Sequence, residues 1–112
     1  MEENERPWGR YDILCEKTGY KVKIITINPG HRFSLQKHSA RDEYWTIVHG
    51  AGTVTLNGLE KEVQIGSSIE IRRGTPHRAK AHNGGLKFIE VQIGDYLGED
   101  DIERIEDDYR RK

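Results

Sequence analysis

Cysteine is nearly absent from this sequence: Cys15 is the only one in 112 residues. No internal disulfide can form, and Cys15 is expected as a small buried apolar residue rather than a reactive thiol. An excess of charge of either sign is also missing, with 18 Lys and Arg against 19 Asp and Glu. The chain therefore gives no global reason to bind nucleic acid or an anionic membrane. No apolar run approaches the ~20 residues of a membrane span. Met1 to Arg10 is charged and has no apolar h-region, so no signal peptide is expected and a cytoplasmic protein is. The length fits one domain, residues 1–112, with residues 1–6 a loose charged arm. Hydrophobic residues are 34% and charged residues 33%, polar for a globular protein, so the core is modest.

What is present is a series of short runs with strand patterning: Tyr11 to Cys15, Tyr20 to Ile27, Phe33 to His38, Glu43 to His49 and Thr53 to Asn57. Leu59 to Ile65, Ser67 to Arg72, His77 to His82 and Leu86 to Ile93 continue the series. Turn signals separate them: Asn28-Pro29-Gly30, Asn57-Gly58, Gly66, Gly74 with Pro76, and Asn83-Gly84-Gly85. Asn57-Gly58 is the strongest hairpin signal, because both residues tolerate the positive φ of a type I′ turn. This spacing predicts an all-β sandwich or barrel. The tail differs. Over residues 99–112, Ile102, Ile105 and Tyr109 recur at helical spacing, with acids first and Arg110, Arg111 and Lys112 last. A short C-terminal helix docked on the barrel is predicted.

One constellation carries chemistry. Alternation puts Ser34, Gln36 and His38 on one face of a strand. Glu43 shares a face with Trp45 and Ile47, so an inward charge is expected, and a metal is its strongest partner. His77 follows a turn and shares a face with Ala79 and Ala81, which leave space beside an imidazole. Gln36, His38, Glu43 and His77 offer two imidazoles, a carboxylate and an amide oxygen. That set suits zinc, iron, manganese or nickel and does not choose among them. His31, His49 and His82 are not expected as ligands, and Trp8 and Trp45 are expected in the core.

Pro29-Gly30 through Gly50 resembles the first cupin motif, and Gly66 through His77 the second. More closely, the chain resembles the cupin domain of type II mannose-6-phosphate isomerases. The resembling pieces are Arg6-Pro7-Trp8-Gly9-Arg10-Tyr11, Gly19-Tyr20-Lys21-Val22-Lys23, Leu35-Gln36-x-His38 and Arg41-x-Glu43-x-Trp45. His77-Arg78, Ile89-Glu90-Val91-Gln92 and the segment Tyr96 to Ile102 complete them. Gln-x-His in place of His-x-His is usual in these isomerases. Ser39 and Ala40 stand where further His commonly follow, and Arg72 stands for the Pro of the second motif. The resemblance implies a double-stranded β-helix, or jelly roll, with zinc as the first expectation for a divalent metal. It also implies a homodimer and a sugar-phosphate substrate, without the guanylyltransferase activity to which such domains are often fused.

The implied reaction interconverts mannose 6-phosphate and fructose 6-phosphate through an enediol. Glu90 shares a face with Phe88 and Gln92 and is the candidate base. Arg41, Arg73 and Arg78 are candidates for the phosphate, by bidentate geometry, and Gln92 for the substrate. Two rival readings stand beside this one: a non-catalytic sugar- or metal-binding cupin module, and a small metal-dependent cupin dioxygenase.

Overall fold

The computed structural model describes residues 4–110. Nine strands form among the described residues: β1 (Glu5–Arg6), β2 (Gly9–Lys17), β3 (Tyr20–Ile27), β4 (Leu35–Lys37), β5 (Arg41–Leu56), β6 (Leu59–Gln64), β7 (Ser68–Ile71), β8 (His77–Gly94) and β9 (Glu103–Glu106). All pairings are antiparallel. Asn57 and Gly58 both have positive φ, 52° and 84°, and close the β5–β6 hairpin as the sequence predicts.

Two strands are longer than alternation alone predicts. The runs around Glu43 and Thr53 fuse into β5, and those around His77 and Leu86 fuse into β8. The glycines between them bend the strands instead of ending them. The β5–β8 register shifts between Ile47 and His49 and again between Gly50 and Gly52. A Cβ on Gly50 would collide with the Gly85 carbonyl oxygen, and one on Gly52 with that of Lys80. Only glycine allows the two backbones this approach. Past the bend, β8 changes neighbours: its first half lies between β4 and β5, its second between β3 and β5. The result is a curled sheet closed around an interior.

The core is Trp8, Ile25, Ile27, Phe33, Trp45, Ile47, Val54, Val63, Ile69, Ile71, Ala79, Ala81, Leu86 and Phe88. Trp45 stacks on Phe88 with ring centroids 4.3 Å apart, and Phe33 meets Trp45 edge-on.

The tail corrects the expectation of a helix. Glu103–Glu106 is a strand paired to β4, and its acids serve distant partners. Asp101 accepts from the backbone N–H of Ser39 and Ala40, and Asp108 pairs bidentately with Arg32. Arg78 grips Glu106 and the Phe33 carbonyl. These non-local bonds outweigh a weak helical propensity. Arg111 and Lys112 lie outside the described residues, as do residues 1–3 of the expected loose arm. Glu5 and Arg6, also assigned to that arm, pair with β2. Cys15 is half-buried on β2, not buried. No helix among the described residues is long and apolar enough to cross a membrane.

Candidate metal centre

Three of the four expected ligands converge. His38 follows β4, Glu43 lies on β5 and His77 opens β8; all are buried. One donor atom from each lies within 4.8 Å of the others. The His38 Nε2 is 3.3 Å from Glu43 Oε2, and the His77 Nε2 is 3.8 Å from Glu43 Oε1. Backbone carbonyls set both tautomers. His38 Nδ1 donates to Asp101 O at 2.6 Å, and His77 Nδ1 donates to Thr75 O at 2.9 Å. Since a carbonyl only accepts, each Nδ1 carries the hydrogen and each Nε2 presents a lone pair. This is the arrangement that orients histidine ligands toward a metal.

The donor set fits a divalent cation on a further ground. His77 Nε2 is buried without a hydrogen-bond partner among the described residues, walled by Phe33 and Trp45. A buried lone pair with no donor is costly unless a cation takes it. Gln36 pairs across from His77 and lines a cavity with His38 and Glu43. Its Oε1 accepts from Ser34 Oγ at 2.8 Å and retains a second lone pair.

The charge states suit such a centre. Burial lowers the His38 pKa to about 4 against the pull of Glu43, and burial also lowers that of His77. Both imidazoles are neutral near pH 7. Burial works to raise the Glu43 carboxyl, but His77, Arg41 and His38 outweigh it and hold it well below the usual range. Trp45 Nε1 and Arg41 Nε donate to its two oxygens at 3.0 and 2.8 Å. Glu90 goes the opposite way. Burial, reinforced by the Glu43 charge, raises it to about 8 against Lys23 and Arg41. Gln92 Nε2 donates to Glu90 at 2.6 Å. Two neighbouring carboxyls with pKa values pushed apart mark distinct roles.

A cavity of about 110 Å³ opens on this group. Glu90, Arg41, Gln36 and His38 line it. Gln92 is fully buried behind Glu90. Two expected substrate residues are elsewhere. Arg73 binds Asp42 through its backbone N–H and side chain and is half exposed. Arg78 points toward β9, because alternation turns it away from His77. In their place the cavity carries Arg6, Tyr11, Lys23, Glu99, Ile102 and Arg104. Alternation does not single out Lys23, because Val22 and Ile24 make the opposite face of β3 apolar as well. His31, His49 and His82 stay out of the donor group.

The family model for the C-terminal domain of mannose-6-phosphate isomerase matches residues 1–107. The chain belongs to this family. It is 43% identical over 109 residues to a mannose-1-phosphate guanylyltransferase of Klebsiella pneumoniae, covering 95% of the chain and 23% of that protein. It is 45% identical over 107 residues to the alginate biosynthesis protein AlgA of Pseudomonas aeruginosa, covering 95% and 22%. The chain thus spans less than a quarter of the length of these relatives. Among solved structures, KdgF from Halomonas sp. aligns with TM-score 0.76 at 19% identity, covering 85% of this chain and 84% of that one. A double-stranded β-helix protein of Klebsiella pneumoniae aligns at 0.74 and 17%, covering 93% and 87%. The fold is the cupin double-stranded β-helix.

Proposed function

We propose that this domain is a metal-dependent isomerase interconverting mannose 6-phosphate and fructose 6-phosphate. The observation that carries the reading is the placement of buried Glu90 in the cavity that His38 and Glu43 of the His–Glu–His donor set also line.

Aldose–ketose isomerisation moves a proton between adjacent carbons while negative charge develops on oxygen. A divalent ion, zinc first, held by His38, Glu43, His77 and Gln36, would supply the positive charge that polarises the substrate oxygens. Glu90 takes the proton from one carbon and returns it to the other; a carboxyl tuned near neutral pH suits both halves. Gln92 donates to one Glu90 oxygen and orients the carboxyl, which lines the cavity. Arg41 keeps Glu43 ionised and lines the cavity with a fixed positive charge. Burial of the donor set keeps bulk water from the enediol.

One observation favours a non-catalytic binding module instead. Arg41 Nη2 lies 3.2 Å from His38 Nε2 and 2.8 Å from Glu43 Oε2, so a guanidinium already answers part of the donor set. Loading the protein with zinc, manganese or nickel and following mannose 6-phosphate by NMR separates the two. Fructose 6-phosphate accumulating to equilibrium supports the isomerase. Metal bound stoichiometrically without turnover of several hexose phosphates supports the binding module and ends the enzyme reading.

A further inference from the structure

The cavity has two zones. The donor group at its base is buried, whereas Arg6, Tyr11 and Arg104 are only part-buried and form its mouth. At about 110 Å³ the cavity is small beside the roughly 300–1,000 Å³ that encloses a drug-sized ligand.

The lining is positive. Arg6, Lys23, Arg41 and Arg104 face Glu43, Glu90 and Glu99. Even with all three acids ionised, four cations leave one net positive charge, and a divalent ion would bring it to three. Two of these cations are held together. The Arg6 guanidinium carbon is 4.9 Å from the Tyr11 ring centroid, and Lys23 Nζ is 4.3 Å from the same centroid. Arg6 also donates to the Tyr11 hydroxyl at 3.3 Å, while Lys23 is fixed by Glu99 at 2.7 Å. Gathering like charges on one ring carries a repulsive cost, which Glu99 offsets at Lys23 and a further anion at the mouth would reduce. Arg104 reaches the same cavity from β9, on the strand pairing that replaced the expected helix. Arginine forks match phosphate oxygens bidentately.

We propose that Arg6, Lys23 and Arg104 form an anion subsite at the cavity mouth, which takes the phosphate monoester while the sugar carbons reach inward. The identity of the anion's owner rests on the isomerase reading; the subsite itself does not. These residues take the role that the sequence assigned to Arg73 and Arg78.

The test is a titration of the metal-free full chain with inorganic phosphate at low ionic strength, followed by amide NMR shifts. Wild type binds phosphate, with shifts centred on Arg6, Tyr11 and Arg104. Arg6→Gln and Arg104→Gln each weaken binding about tenfold, Arg6→Lys recovers part of the loss, and Arg73→Gln has no effect. Arg104→Lys replaces Arg104→Gln if the latter lowers Tm by loosening β9. With metal and mannose 6-phosphate, the Arg6 and Arg104 variants raise KM and leave kcat in place. Absence of phosphate binding in wild type, or equal binding in the Arg6 and Arg104 variants, overturns the subsite. Phosphate binding that survives in a protein with no isomerase turnover removes the isomerase reading and leaves the subsite. Turnover with unchanged KM in both variants does the reverse.

Discussion

Three cross-strand rows on the inner face of β3, β8 and β5 run from apolar to charged. Ile25, Phe88 and Ile47 form the first; Lys23, Glu90 and Trp45 the second; Lys21, Gln92 and Glu43 the third. All nine residues are buried. The first row is a hydrophobic core of ordinary kind. The other two place lysine, glutamate and glutamine where apolar residues would be more stabilising. A buried charge is costly unless paired, and here the polar residues pair with one another or with Glu99, Arg41 and the donor group. One end of the same strands therefore carries the stability, and the other carries the candidate site.

The comparison can be broken most severely at the second row. Glu90→Gln keeps the shape and removes the proton carrier. Turnover by metal-loaded protein is expected to fall by about 10²–10⁴, with Tm held or raised, since a buried acid has gone. Retained turnover would move the base elsewhere. Phe88→Ala, one row away, does the opposite. It opens a cavity under Trp45 and is expected to cost about 3–5 kcal/mol in denaturant unfolding. Residual folded protein should still bind metal; equal loss of stability and metal would show that the rows are not separable.

A third prediction uses the pH dependence of stability in the metal-free protein. The Glu90 pKa rises from 4.5 to about 8 on folding, so the folded state binds more protons across that range and stability falls as pH rises through it. His38, lowered from 6.5 to about 4, has the opposite slope but finishes by pH 6.5. Between pH 6.5 and 8 the Glu90 effect stands alone. Unfolding free energy should decline across that window in wild type and stay flat in Glu90→Gln; identical slopes would contradict the assignment. The smallest effect lies far from both ends. Gly58→Ala meets no neighbour within 4 Å but forces a positive φ of 84°. It should cost about 1–2 kcal/mol, with metal binding unchanged.

Much of this was legible in the sequence. Alternation places Glu43 inward beside Trp45 and Ile47, but it does not choose a face for Glu90 and Gln92, since Ile89, Val91 and Ile93 are apolar on the other parity. The same rule fails for Lys21 and Lys23, since Val22, Ile24, Ile25 and Ile27 give β3 apolar residues on both faces. The glycines of residues 50–52 and 83–85 read as strand ends because the same residue serves turns and bends. The tail read as a helix because the pairing of β9 with β4, and the partners of Asp101 and Glu106, lie far away in sequence. Arg78 enters the expected site through the resemblance of His77-Arg78 to the family, although alternation points it away from His77 and the strand directs it to Glu106.

The central claim is that His38, Glu43 and His77 hold a divalent metal, and elemental analysis of purified wild type beside His77→Ala tests it most directly. The account predicts about one divalent ion per chain in wild type and a loss of most of it in the variant, with the barrel still folded by circular dichroism. No divalent metal in wild type, or equal content in the two proteins, would contradict it.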